Sequence, residues 1–506
     1  MLSILLVVLS GVLMFLSQPP FNLGHLCWFV LVPFLIAING KKPKQGFVYG
    51  FIMGLVYFLC MLYFIFTVMP PVTILAGLIL IPYQALFFAL FGLLFTFILG
   101  EKPGALKFIF FSAFLWVAIE YIRSLGIFGF PWGMLAYAQW KNLMLIQISD
   151  ITGVYGVSFV IFIFNAAVAY IIMQYRRPFD PKRLSNPQVA VSGLILFSVL
   201  IFIFFYGMKA ITKYAPLVEP DAEKMDIAIV QGNIDQWRKW DAGYLDENIN
   251  RHIVLSGVFT ARPDLIVWPE TVITANFEDN PLIKKIVSEF VRKNAIYLLT
   301  GAEGKEGNKY YNRAVLFNPN GDIAAKYDKR HLVPFGEATP SFFKSIFPFI
   351  KILVPGEDFS SGKEYTIFDH PKSKFACCIC FESIFPNQVR KFVKNGARVL
   401  VNITNDAWFG KSNAPYHHFT INSFRAVENR IEIARAANTG VSGFIDKLGR
   451  PRYYTKIYTP AAIRSRVSLR TETTFYTQFG DIFSFVCIAM TLFALFSVVL
   501  KGNRKS

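Results

Sequence analysis

The sequence predicts a two-part chain: a membrane α-helical bundle of eight transmembrane helices, fused to an α/β domain. Three observations carry that prediction. The 506 residues are 54% hydrophobic and 16% aromatic, with 53 Phe, and only 17% are charged, against about 25% in an ordinary soluble domain. The few charges are unevenly spread: residues 1–208 hold 11 Lys/Arg and 4 Asp/Glu, whereas residues 209–500 hold 37 basic and 29 acidic residues. From residue 209 onward, short apolar runs alternate with amphipathic stretches, the pattern of a sheet covered by helices. This composition excludes a disordered chain, a coiled coil and an ordinary cytosolic enzyme. The expected divisions are 1–208 for spans one to seven, 209–481 for the α/β domain, and 482–506 for span eight with a basic tail.

A span needs about 20 apolar residues in helical conformation. Candidate spans lie at about 2–17, 22–39, 46–67, 73–99, 107–122, 148–173, 190–208 and 482–500. The first lacks the basic leader and small-residue cleavage site of a signal peptide, so it is expected to remain as a span. Alternating from a cytoplasmic N-terminus puts twelve basic residues on one side (Lys41, Lys42, Lys44, Lys102, Lys107, Arg176, Arg177, Lys182, Arg183, Lys501, Arg504 and Lys505). The opposite short loops hold Arg123 and Lys141. Basic residues collect on the cytoplasmic side, so both termini are expected there and residues 209–481 on the outer face. The net charge of +18 then divides between cytoplasmic loops and the outer domain, and nucleic acid is not an expected partner. Glu120 and Arg123, at i and i+3, share a helix face. Phe130-Pro131-Trp132-Gly133 onward, to Trp140, reads as an interfacial or re-entrant stretch.

Residues 215–220 read as a linker. Asp226–Gln231, Leu265–Trp268, Ile296–Thr300, Ala314–Phe317, Phe375–Cys380 and Val399–Ile403 read as buried strands, and 281–294 and 417–438 as helices. Three residues close or follow strands or lie in a motif rich in chemistry. Glu270 follows Leu265-Ile-Val-Trp-Pro269, Lys329 lies in Lys326-Tyr-Asp-Lys-Arg-His-Leu-Val-Pro-Phe-Gly-Glu337, and Cys380 ends Phe375-Ala-Cys-Cys-Ile-Cys380. Sites in α/β sheets gather beyond the carboxyl ends of strands. A carboxylate, an amine and a thiol placed together there form a nucleophilic site: the carboxylate takes the thiol proton, and the amine favours the thiolate and the oxyanion. Spacing alone does not bring the three together.

The local strings are more specific. Trp268-Pro-Glu270, the run from Tyr327 to Glu337, and Ile379-Cys-Phe-Glu382 resemble the Glu–Lys–Cys motifs of the nitrilase (carbon–nitrogen hydrolase) superfamily. More narrowly, the chain is similar to the membrane-fused branch of that superfamily, the apolipoprotein N-acyltransferase family of the bacterial inner membrane. That similarity includes Glu120-x-x-Arg123, Asp150-Ile-Thr-Gly153, Gln231-Gly-Asn233 with Lys239-Trp240, Asn405-Asp-Ala-Trp-Phe-Gly410, and Asn438-Thr-Gly440. The resemblance implies eight spans, both termini cytoplasmic, and a periplasmic αββα sandwich. It implies acyl transfer from a phospholipid, through a thioester on Cys380, to the α-amino group of a diacylglyceryl-modified N-terminal cysteine of an apolipoprotein. Glu270, Lys329 and Cys380 are then catalytic, and Glu337 and Glu382 support them. Trp240 and Phe381 are expected to contact substrate. The residue after the nucleophile is commonly Tyr in the family, and Phe381 lacks that hydroxyl.

Ser341–Val354 is nearly all apolar, with Phe343 and Phe347 in its centre. It reads as a lid that meets lipid. No cofactor is expected and no metal: Cys377, Cys378 and Cys380 lack a second ligand cluster at zinc spacing, and His417-His418 stand apart from them in sequence. Nothing demands an oligomer, so a monomer is expected. Two other readings remain at this stage: a membrane-tethered amidase or nitrilase using the same three residues, and a transporter or scaffold with a degenerate domain.

Overall fold

A computed structural model of the chain describes residues 1–67, 72–175, 187–215, 223–277, 279–340, 358–470 and 472–503. The linker at 215–220 (apart from Ala215), the basic loop at 176–183, and the apolar segment with Phe343 and Phe347 lie outside the described residues. The chain divides into two compact units. One comprises Met1–Phe66, Thr73–Lys213 and Phe479–Ser506, the other Thr67–Val72 and Tyr214–Gln478.

The first unit is helical. Five of its helices, Pro43–Met61, Ala76–Leu99, Val154–Tyr175, Pro187–Tyr214 and Ile482–Leu500, are long and apolar enough to cross a membrane. At the other three expected positions the helices are shorter or broken. Leu2–Ser17 has 16 residues. Residues 22–39 divide into a 3-10 turn, Gly24–Trp28, and a helix, Val32–Ile38, restarted by a proline in its first turn. A π-turn over Lys107–Phe111 precedes the helix Ser112–Arg123.

The helix Pro43–Met61 carries Gly46, Gly50 and Gly54 at every fourth position. A Cβ on Gly46 would stand 2.2 Å from the Gly92 carbonyl oxygen, and one on Gly50 would stand 2.1 Å from that of Phe88. The glycines therefore let two backbones touch, as small residues do between apolar helices that have no water to expel. Glu120 and Arg123 are buried and hold the irregular segment that follows. Arg123 donates to the carbonyls of Phe130 and Trp132, each at 2.9 Å, and to Gln84 at 3.0 Å. Glu120 accepts from the Leu135 amide at 2.9 Å. Their charge satisfies backbone groups that no helix pairs, the condition for irregular backbone within apolar surroundings.

The second unit is an αββα sandwich. Its first sheet has the order β13-β1-β2-β4-β5-β6, with β3 beside β4. These strands are β1 (Lys224–Gln231), β2 (Leu265–Val267), β3 (Ile273–Asn276), β4 (Tyr297–Glu306), β5 (Lys309–Phe317), β6 (Ile323–Asp328) and β13 (Ala461–Ser468). The second sheet has the order β12-β11-β10-β9-β8-β7, built from β7 (Ile367–Phe368), β8 (Phe375–Ile379), β9 (Val399–Thr404), β10 (Ile433–Ala437), β11 (Gly443–Ile445) and β12 (Pro451–Tyr454). Strands β1, β2 and β4 run parallel, as do β8, β9 and β10.

Alternation along each strand sends side chains to opposite faces, and the two cores follow it. Met225, Ile227, Ile229, Val267, Leu299 and Leu316 of the first sheet share one core with Cys377, Val401 and Ala434, which lie together on one face of the second. Their neighbours Ala228, Val230, Ile266, Leu298 and Val315 face the helices Leu245–Ser256 and Pro281–Asn294.

Two expectations are corrected. The expected helix at 417–438 is two elements: the helix Ala414–Asn429 ends where Arg430 turns left-handed (φ 48°), and β10 follows. Strand Phe375–Cys380 ends one residue early, because Cys380 itself has φ 52° and opens a 3-10 turn, Cys380–Ile384.

Candidate active site

The residues just past the ends of β2, β6 and β8 converge. Glu270 sits two residues beyond Trp268, in a turn packed against β4. A Cβ on Gly301 of β4 would lie 2.3 Å from the Thr271 nitrogen and 2.6 Å from the Glu270 Cα, so only glycine admits this turn. Glu270 Oε1 accepts from Asn312 Nδ2 at 2.8 Å and from Lys329 Nζ at 3.4 Å, and Oε2 accepts from the Asn405 amide at 2.7 Å. Lys329 follows β6 and also donates to Glu337 Oε1 at 2.8 Å. Asn312 Nδ2 donates to that same oxygen at 2.8 Å, and Glu337 Oε2 accepts from the Val333 amide at 2.8 Å. Glu337 therefore fixes the lysine, and Asn312 fixes both carboxylates.

Cys380 leaves β8 in a left-handed conformation uncommon for any residue but glycine. Such backbone persists where the surroundings over-determine it, and here they do. Glu382, fully buried, accepts from Tyr327 Oη (2.7 Å), the amides of Arg330 (2.7 Å) and His331 (3.2 Å), and Gln388 Nε2 (2.7 Å) on one oxygen, and from the Ile379 amide (2.8 Å) on the other. It ties the turn holding Cys380 to the loop holding Lys329. The Phe381 ring packs on His331 and Phe385, at 5.8 and 5.2 Å between ring centres. Trp240 is 40% exposed and lies 6.3 Å from Trp408.

The electrostatics separate the two reacting groups. Burial raises the Glu270 pKa, but Lys329, the Asn312 hydrogen bond, Lys239 and a hydrogen bond with Cys380 outweigh it and hold the carboxyl below its ordinary range. Burial first, then the Glu270 charge, pushes the Cys380 thiol up, against the pull of Lys329. Lys329 is held above its ordinary range: burial opposes its charge, but Glu337 and Glu270 more than compensate. The resting arrangement is thus a thiol beside a carboxylate and an ammonium, ready for an internal proton transfer.

Several residues that this region depends on were not singled out in sequence. Asn312 is a polar side chain inside the buried strand β5. His418 and Asp406 lie below the nucleophile, although the histidine had read as standing apart. His418 Nδ1 meets Asp406 Oδ1 at 2.9 Å, and its Nε2 lies 3.1 Å from the Cys380 carbonyl oxygen. Arg435 and Thr404 donate to Asp406 at 2.6 and 2.9 Å. Donor atoms of Cys380, Asp406 and His418 fall within 4.8 Å of one another, the spacing of a metal cluster. These hydrogen bonds already engage the histidine and the carboxylate, as a brace under the Cys380 backbone. Lys239, at the end of the short helix Gln236–Lys239, is buried and donates to the Glu270 carbonyl oxygen at 2.8 Å.

Residues 10–167 match the family model described as apolipoprotein N-acyltransferase N-terminal domain, and residues 226–479 match carbon-nitrogen hydrolase. Apolipoprotein N-acyltransferase of Geobacter metallireducens is 38% identical over 96% of this chain and 93% of its own. Apolipoprotein N-acyltransferase 1 of Treponema denticola is 30% identical over 100% and 98%, and that of Chlorobaculum tepidum 30% over 98% and 96%. An amidase of the nitrilase superfamily from Nesterenkonia aligns with 51% of this chain and 95% of its own, at TM-score 0.38 and 19% identity.

Proposed function

Because the chain belongs to the apolipoprotein N-acyltransferase family, we propose that it moves an acyl chain from a phospholipid to the α-amino group of an S-diacylglyceryl N-terminal cysteine through a thioester on Cys380. The observation that carries this reading is the convergence of Glu270, Lys329 and Cys380, with the proton on sulfur and the negative charge on the carboxylate.

In the first half-reaction the S–H bond breaks, its proton passes to Glu270, and sulfur bonds the ester carbonyl carbon. The negative charge moves to the carbonyl oxygen, where the Lys329 ammonium and the main-chain N–H of Phe381 stabilise it. Collapse expels the lysophospholipid alkoxide, which takes the proton from Glu270. In the second half-reaction the lipoprotein amine attacks the thioester, gives its proton to Glu270, and leaves as amide while the thiol is restored. Splitting the transfer in two lowers each barrier and produces ping-pong kinetics.

Eight spans, cytoplasmic termini and a periplasmic catalytic domain accord with the twelve-to-two distribution of loop charges. The apolar run around Phe343 and Phe347 and the exposed Trp240 suit contact with acyl chains. The membrane-tethered amidase reading uses the same three residues but gives no role to the apolar helices or the apolar run.

The test is intact mass of the full chain in detergent after mixing with phospholipid alone. An acyl adduct on Cys380, with one lysophospholipid released per adduct and neither seen in Cys380→Ala, is expected. Lysophospholipid release without an adduct contradicts the thioester.

A further inference from the structure

Two cations on the segments that carry Lys329 and Cys380 pair with no carboxylate among the described residues. Arg330 follows Lys329, and its guanidinium carbon lies 3.9 Å from the centre of the Tyr365 ring. The Lys391 ammonium lies 5.6 Å from the same centre. Like charges over one ring repel each other. Glu382 takes the Arg330 main-chain amide rather than its side chain, and Glu364, next to Tyr365, is exposed. The guanidinium makes no hydrogen bond among the described residues, and its Nη1 is shielded from water as well. Buried donors without a partner are uncommon, so an acceptor belongs beside this group.

Lys391 comes from the helix Pro386–Lys394, which begins two residues after the turn Cys380–Ile384. That helix buries Pro386, Val389, Phe392 and Val393 and contains no acidic residue. Lys394 follows Lys391 by three residues and Arg390 by four, the spacings that share a helix face. The Tyr365 ring packs on Phe392 at 5.0 Å, and Phe392 on Tyr327 at 5.3 Å. Since the Tyr327 hydroxyl reaches Glu382, the basic face is braced to the same carboxylate that holds the nucleophile turn.

A second observation points to the kind of anion. Arg390 donates to the Thr477 carbonyl at 3.0 Å, and Lys394 to the Gln478 carbonyl at 3.3 Å. The apolar helix Ile482–Leu500 begins four residues after Gln478, at most about 14 Å of chain. With that helix as a span, the basic face stands near the level of the phospholipid head groups, whose phosphates carry the opposite charge. Arginine and lysine are the side chains that bind phosphate.

We infer that Arg330 and Lys391, with Arg390 and Lys394 adding to the positive field, bind the head-group phosphate of the phospholipid acyl donor. Phosphate oxygens accept from the guanidinium and the ammonium and offset their mutual repulsion. This deepens the acyl-transfer reading above and rests on it.

The experiment follows single-turnover acylation of Cys380 by mass, for the full chain in micelles of a neutral detergent. The donors are phosphatidylglycerol at increasing mole fraction and a short soluble ester that has no phosphate. In the double variant Arg330→Gln/Lys391→Gln, the half-saturating fraction of phosphatidylglycerol should rise about tenfold, as two charge-assisted contacts are lost. The rate at saturation and the reaction of the short ester should match those of the parent. Arg330→Lys/Lys391→Arg keeps both charges and should restore half-saturation toward the parent value. An unchanged half-saturation in the double Gln variant, or equal losses on both donors, overturns the inference and leaves the thioester standing. If that variant does not fold, salt decides with the parent. From about 0.05 to 0.5 M NaCl, as screening shortens the reach of charge, half-saturation by phosphatidylglycerol should rise while the short ester reacts as before; equal responses overturn the inference. A parent that forms no adduct on Cys380 at all removes the acyl-enzyme reading first, and this inference with it.

Discussion

A thiol held above its usual range and a carboxylate held below it sit side by side, because Lys329, Asn312 and Lys239 stabilise charge on Glu270 whereas burial and Glu270 itself discourage charge on Cys380. Neither residue is tuned alone; each is set by what the other carries. Glu382 shows the same economy in backbone terms, since five donors converge on one buried carboxylate. Glu382→Gln would point an amide NH2 at some of those donors. It should destabilise the domain by about 2–4 kcal/mol, the cost of one or two buried donors left unmatched, read as a lower unfolding midpoint in detergent, and should slow adduct formation on Cys380. Glu270, Lys329 and Cys380 were legible in sequence because their flanking strings are distinctive. Lys239 lies inside another such string, and nothing in the string marks it out. A lysine in a polar stretch carries no sign that folding will bury it, and Asn312 becomes meaningful only when β5 sets it between two carboxylates.

At the level of elements, the strands with unbroken apolar runs could be read directly: β1, β2, β8 and β9 lie within about two residues of their expected bounds. β4 and β5 run further than expected because their polar ends, Gly301–Glu306 and Lys309–Arg313, pair with each other as a hairpin. β10 was hidden because Ile433–Ala437 follows a helix after three residues, the left-handed Arg430 with Ile431 and Glu432, and a short apolar run fits either period. The end of β8 was misplaced for a related reason: nothing in the sequence marks a cysteine that leaves the strand at positive φ. Close packing of elements also sets precision at the site. In Gly301→Ala, the new methyl would meet main-chain atoms of the Glu270 turn that have nowhere to retreat. Acylation should fall about 100-fold, as displacements of an ångström at a reacting group do, with circular dichroism and expression close to those of the parent. An unchanged rate would mean that the turn has room to move.

Over the whole molecule, the division into an apolar helical unit and a mixed α/β unit was visible in the charge distribution alone. The break in residues 22–39 and the π-turn at Lys107–Phe111 were not, since hydropathy registers an apolar run but not its local geometry. The sparse charges of the helical unit have structural work of their own, as Glu120 and Arg123 do in holding the segment around Phe130–Leu135. On the proposed function the acyl donor is a lipid, and the apolar run containing Phe343 and Phe347 is proposed to serve it. Replacing both with Ser should therefore cut turnover of phospholipid at least about tenfold more than turnover of a short soluble ester, an effect of lost apolar contact with the chain. Equal losses on both would remove the lid from the account. The central claim is that the acyl group is handed to an amine rather than to water. It is tested most directly by isolating the acylated chain, adding an S-diacylglyceryl-cysteine peptide, and following the Cys380 adduct by mass. The account predicts that the peptide discharges the adduct and gains the acyl group on its α-amino nitrogen. Discharge at the same rate with and without peptide, yielding free fatty acid, would contradict it.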